Sequence, residues 1–276
     1  MQCLEGITVV NLAVNLPGPA AARRLHKFGA KVIKVEPPSG DPMFRFMPDW
    51  YADMADGQEI ITLNLKDSEQ RRQLDKLLED ADLLITANRP AALKRLGLDW
   101  QSLHRQFPGL CQVAIVGYPP PEENEPGHDL TYQAKEGLLT PPHMPRTLIA
   151  DMAGAEIAVT EALALLLAKE RGKESSLAMV ALSDAARYMA EPYRVGFTVP
   201  GAIVGGGLTE YNIYQASDGW IAVAALEPHF KIAMQNALNC EGQSKQELDS
   251  IFRKKTCSDW ETLAKELDLP LVAIKE

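Results

Sequence analysis

Three side chains able to move protons or attack a carbonyl stand far apart in this chain: His128, Asp151 and Glu227. His128 lies in Gly127-His128-Asp129-Leu130-Thr131-Tyr132-Gln133-Ala134, after a proline-rich loop and before a polar-aromatic helix start. Imidazole ionises near neutrality, which suits it to acid–base work, although a single histidine beside a loop is more often structural or merely solvated. Asp151, in Ile149-Ala150-Asp151-Met152-Ala153-Gly154, precedes a helical pattern and reads as an N-cap. A carboxylate there keeps a low pKa, and the unbonded N–H groups of the first turn can steady a developing oxyanion. Glu227, in Ala225-Leu226-Glu227-Pro228-His229-Phe230, reads most simply as a loop acid, and Gly205-Gly206-Gly207 as a flexible linker. Arg89 follows a strand end and Arg45 follows Gly40-Asp41-Pro42; each offers a planar cation to an anionic ligand, and each is a common surface residue.

The first half of the chain alternates strand and helix patterns. Ile7 to Leu12 is a β-branched run that Pro17-Gly18-Pro19 breaks, with a helix expected from Ala20 to Phe28. Strands are expected over 31–36, 60–65, 83–86 and 111–116, with Asp67-Ser68 capping a helix between the second and third. This alternation predicts a parallel, Rossmann-like sheet covered by helices. The turn Asn11 to Gly18 contains no Gly-x-Gly-x-x-Gly, so neither NAD nor FAD is expected. Asp151 opens a long helix through Glu170, and a second helix is expected from about Leu177 to Tyr188. Residues 200–207 form a linker candidate, followed by a hairpin around Ser217-Asp218-Gly219 and two helices near 230–238 and 258–267. The expected organisation is a Rossmann-like domain over 1–199 and a smaller α+β domain over 200–276.

The chain has 276 residues, 46% of them hydrophobic and 24% charged, the balance of a globular protein with a full core. Its formal net charge of -9 argues against nucleic acid or an anionic membrane as a partner. The longest apolar stretch, Ala162 to Ala168, is too short to span a bilayer. Cys3, Cys111, Cys240 and Cys257 show neither paired spacing nor zinc spacing, so free thiols in a reducing cytoplasm and no metal are expected. The start of the chain shows no leader pattern.

The motifs around His128, Asp151, Gly205–Gly207 and Glu227, in this order over most of the chain, resemble the family III CoA-transferases, a group that also contains the α-methylacyl-CoA racemases. The resemblance implies coenzyme A as the thioester part of the substrate and an interlocked homodimer. It implies that Asp151 is catalytic, that Glu227 pairs with a catalytic His128, as in the racemases, and that Gly205–Gly207 close over the site. It places Arg89 near CoA and Arg45 beside the nucleotide. It also places the segment Ala55 to Glu59 opposite the CoA phosphates, where Asp56 and Glu59 stand in place of the family's usual cations. The leading activity is 2-methylacyl-CoA epimerisation. CoA transfer through an aspartyl-CoA intermediate on Asp151 is the alternative, and a non-catalytic homologue is the reading from a different class.

Overall fold

The computed structural model describes residues 2–240 and 244–275. Apolar residues of the first half point alternately to two faces of one sheet. Val9, Val32, Leu83, Ile85 and Val113 pack on one side, and Val10, Ile33, Val35 and Leu84 on the other. A sheet buried on both faces is what a parallel arrangement needs, because its crossover helices must cover both sides. The elements run β1 (Thr8–Asn11), α1 (Pro17–Lys27), β2 (Lys31–Glu36), α2 (Met43–Phe46), α3 (Pro48–Ala55), β3 (Glu59–Thr62), α4 (Ser68–Glu79), β4 (Leu83–Thr86), α5 (Pro90–Arg95), α6 (Trp100–Gln106), β5 (Cys111–Val116), α7 (Asp129–Lys135), α8 (Ile149–Glu170), β6 (Leu177–Ala181) and α9 (Leu182–Met189). All strand pairs in this sheet are parallel, in the order β3-β2-β1-β4-β5-β6. Successive strands are added toward one edge from β1 to β3 and toward the other from β4 to β6, so a crevice opens between β1 and β4 outside their C-terminal ends, where such sheets bind ligands.

Two expectations are corrected here. The first helix starts at Pro17, not Ala20, because prolines in a first turn lose no helical hydrogen bond and arrive with φ already set. Residues 177–188 do not form one helix. Leu177–Ala181 is a strand that adds to β5, from Gln112↔Leu177 to Val116↔Ala181, and α9 follows it. A five-residue apolar run fits either period, and the open edge of β5 decides. The cap expected at Asp67 is present, its Oδ1 accepting from the N–H groups of Glu69 and Gln70 at 3.0 Å.

The long helix α8 buries Ala150, Gly154, Ala155, Ala158 and Ala162. A Cβ at Gly154 would run into Leu182, so this glycine lets α8 and α9 approach closely. Beyond β2, a buried ion cluster fastens the chain. The Lys34 ammonium meets Asp41 at 2.6 Å and Glu36 at 3.0 Å. Tyr51 donates to Glu36 at 2.8 Å, and Asp41 accepts from the N–H groups of Asn15 and Met43 at 3.0 Å each.

The chain divides into two compact units between Ala190 and Glu191, ahead of the linker expected at 200–207. The second unit holds α10 (Glu191–Arg194), β7 (Tyr211–Gln215), β8 (Trp220–Ala224), α11 (Pro228–Leu238), α12 (Lys245–Phe252), α13 (Cys257–Glu266) and β9 (Leu271–Ala273). The hairpin is antiparallel as expected, and β9 extends it on the other side of β8. Its core is Tyr214, Ile221, Val223, Phe252, Trp260 and neighbouring apolar residues. The architecture is thus α/β, a Rossmann-like parallel sheet with a smaller α+β unit. Within that unit, Gly205–Gly207 form a hydrogen-bonded turn rather than a flexible linker. The N–H of Gly207 donates to Ala202 O at 2.8 Å, and that of Gly201 to Gly205 O at 2.9 Å. A Cβ at Gly205 would strike the Val199 carbonyl, and Gly206 sits at φ 95°.

Candidate active site

At the C-terminal ends of β1, β4 and β5 lies a cavity of about 510 Å³ whose wall includes Asn15, Arg89, His128, Tyr132 and Asp151. The two groups expected to do acid–base work in the first unit, His128 and Asp151, therefore share one cavity. A second cavity of about 520 Å³ opens at the ends of β1, β2 and β3, and Val14 and Asn88 line both.

His128 is the N-cap of α7. Its backbone N–H donates to Thr131 Oγ1 at 3.1 Å, and that hydroxyl donates to the His128 carbonyl at 2.8 Å. The backbone is thereby held while the side chain stays exposed at the cavity wall. Gly127 precedes it because the Tyr132 ring lies where a Cβ would be. Tyr132 is buried and packs edge-on to Tyr118 at 5.2 Å, and burial pushes its hydroxyl up to about 12.

Asp151 does not occupy the position expected of it. It is the third residue of α8, and the N-cap is Leu148, which supplies no side-chain bond. The start of α8 is capped from another helix. Asp129, only 4% exposed, accepts through Oδ1 from the N–H groups of Ala150 at 2.7 Å and Asp151 at 3.1 Å. Its Oδ2 accepts from Gln133 Nε2 at 2.5 Å, and the same amide donates to Thr147 O at 3.1 Å. Two expectations fall with this geometry. The N–H groups of residues 150 and 151 are taken and do not wait for an oxyanion. Asp151 also does not keep a low pKa: burial, and then the negative charge of Asp129, push it up to about 6. No local pattern in the sequence marks Asp129 as this cap, because its neighbour His128 carries the chemical signal and the cap reaches 21 residues along the chain.

Arg89 is the N-cap residue of α5, exposed and on the cavity wall. The acidic loop 119–126 is fixed beside it, with Asn124 Oδ1 accepting from Ala91 N–H at 2.9 Å. Glu123 and Glu125 join the wall. Arg45 is exposed on α2 and lines neither cavity, whereas Met43 and Phe46 of the same helix do. Asp56 and Glu59 also line neither. Glu59 opens β3 and pairs with Lys31 at 3.7 Å, at the end of the strands away from the crevice. The cation that does reach the second cavity is Lys66, four residues beyond the end of β3. The signal for it was available: polar residues just after a parallel strand face the crevice.

At the end of β2, where dinucleotide enzymes of this strand order hold a ribose hydroxyl, the Glu36 carboxylate is engaged by Lys34, Tyr51 and the Asp41 N–H. Among the described residues no group of three or more His, Cys, Asp or Glu is arranged to hold a metal, and no helix is long and apolar enough to cross a membrane. Glu227 belongs to the second unit, where it is the exposed N-cap residue of α11 with Pro228 at the first helical position.

The chain is 32% identical over 206 residues to a cinnamoyl-CoA:phenyllactate CoA-transferase of Clostridium sporogenes, covering 67% of this chain and 50% of that enzyme. It is 27% identical to an α-methylacyl-CoA racemase of Mus musculus over 93% of this chain and 74% of that one. It thus spans about half the length of the first relative. Its fold matches the crystal structure of a hypothetical protein of Mycobacterium tuberculosis with a TM-score of 0.88 at 23% identity, covering 100% of this chain and 84% of that one. The relatives are enzymes, both transferases and racemases. The model of CoA-transferase family III matches residues 4–276, and the chain belongs to that family.

Proposed function

We propose that this chain acts on acyl-CoA thioesters as a 2-methylacyl-CoA racemase. The observation that carries the reading is the presence of His128 and Asp151 on one cavity wall, with Asp151 titrating near 6. A carboxyl group with that pKa can both accept and return a proton near neutrality, which one held near 4 does poorly. The nucleotide of CoA fits the second cavity, where Leu12, Val35, Leu63 and Leu98 supply apolar walls for the base and Asn64 and Lys66 supply polar contacts. Val14 and Asn88, shared by both cavities, mark the path of the pantetheine arm, and Arg89 adds positive charge at the thioester end.

One base, Asp151 or His128, removes the α-proton from its face. The C–H electrons move into the thioester carbonyl as an enolate, and the other residue, protonated, delivers a proton to the opposite face. On the resemblance, Glu227 is proposed to orient the imidazole, Gly205–Gly207 to close over the substrate, and the chain to act as a cytoplasmic homodimer. CoA transfer is the second reading. It is supported by the transferase relative, and a desolvated carboxylate such as Asp151 is also a strong nucleophile. Incubation with a 2-methylacyl-CoA in deuterium oxide, with hydroxylamine trapping in parallel, separates the two. Racemisation predicts deuterium at the α-carbon and no aspartyl hydroxamate. A hydroxamate on Asp151 without α-deuterium would replace this reading with transfer. Neither signal, with CoA also failing to bind, would leave a non-catalytic homologue.

A further inference from the structure

We infer that Asp129 is a positioning residue for Asp151: from α7 it caps the first turn of α8 and sets both the place and the proton affinity of the reacting carboxyl group. The inference rests on the reading of Asp151 as the group that reacts with substrate. The geometry is a buried relay. Asp129 Oδ1 holds the Ala150 and Asp151 N–H groups, its Oδ2 holds Gln133, and Gln133 holds the Thr147 carbonyl just before α8 begins. Three of these contacts tie α7 to the segment 147–151, the fourth bracing Gln133 against Asp129 within α7, and the Asp151 backbone cannot turn without breaking the bond to its N–H.

The relay also changes what the helix start does. A free first turn presents partial positive charge that favours an ionised carboxylate. Here that positive end faces the full negative charge of Asp129, and Asp151 follows on in a half-buried place, where both burial and Asp129 disfavour its ionisation. The other titratable or charged groups on the cavity wall are His128 and Tyr132 from the α7 region, Glu123 and Glu125 from the acidic loop, and Arg89 from α5. Of these charged groups, Asp129 is the one that adds to burial in raising the Asp151 pKa. Only Asp129 among them holds the Asp151 backbone.

The test is a carbon-13 NMR titration of the Asp151 carboxyl group in the full chain, which needs no substrate and so reads independently of the racemase assignment. In the unaltered protein Asp151 should titrate near 6. In Asp129→Asn, which keeps an acceptor for the two N–H groups but removes the charge, it should become roughly tenfold more acidic. Asp129→Ser, neutral and smaller, should shift it the same way. Where turnover is measurable, the pH profile of α-proton exchange should move with it. An ordinary carboxylate titration in the unaltered protein would overturn the inference, as would an unmoved titration in whichever neutral variant folds. Unfolding of both variants would overturn it too, because Asp129 would then hold the fold rather than tune its neighbour. A titration that moves as expected in a chain with no α-proton exchange would sustain the Asp129 relay and reject the proposed reaction instead.

Discussion

At Asp151 the same carboxyl group invites two assignments, helix cap and reacting group, and the structure separates them. The capping is done by Asp129, so replacing Asp151 should cost the helix little. Asp151→Asn should lower exchange or transfer by at least about a hundredfold, the usual scale for losing an acid–base group. Its effect on stability depends on pH, and the sign follows from the raised pKa. Between about 4, where a carboxyl group ionises in an unfolded chain, and about 6, the folded protein keeps a proton that the unfolded chain has lost. The contribution of Asp151 to stability is therefore greatest below this window and is lost as pH rises through it. Thermal melting of the two proteins at pH 4 and pH 7 tests this. The Asn variant should gain on the parent at pH 7 relative to pH 4, and a difference that does not change with pH would count against a raised pKa. The activity of the unaltered chain should likewise change around pH 6 rather than around pH 4.

Among the elements, those whose own residues decide them were legible: the strands over 31–36, 83–86 and 111–116, the Asp67 cap and the hairpin at Ser217-Asp218-Gly219 all follow from local pattern. What escaped depends on partners elsewhere. β6 is a strand because β5 offers an open edge, α12 is short with a single Ser244 cap, and β9 is three residues held by β8. The cap on α8 escaped for the same reason, since no local reading of residues 148–152 contains Asp129. The Lys34 cluster is also a matter of distant pairing, joining β2 to the stretch that leads into α2 and α3. Lys34, Glu36 and Asp41 are all nearly inaccessible to solvent. Lys34→Met would leave two buried carboxylates without their cation and should destabilise the first unit by about 3–5 kcal/mol. A urea midpoint unchanged within experimental error would show that the cluster relaxes or takes up water instead.

Over the whole molecule, strand order decides which charges meet a ligand. All six strands of the large sheet run the same way, so the crevice collects residues that follow strands and excludes those that start them. The family resemblance sets Asp56 and Glu59 against the CoA phosphates; the direction of β3 puts Glu59 at the far end and brings Lys66 to the second cavity. The net charge of -9 makes that one cation matter more, because the general field of the chain repels a polyanion. Lys66→Ala should weaken CoA binding by roughly threefold to tenfold at low salt, and less at high salt, as expected for a solvent-exposed charge contact. Glu59→Lys, at the opposite end of the strands, should leave affinity nearly unchanged and alter only its pairing with Lys31. Calorimetric titration with CoA at two ionic strengths checks both variants together. If Glu59→Lys tightened binding while Lys66→Ala did nothing, the nucleotide would have to lie outside the C-terminal crevice, and the assignment of the 520 Å³ cavity to it would fail with that result.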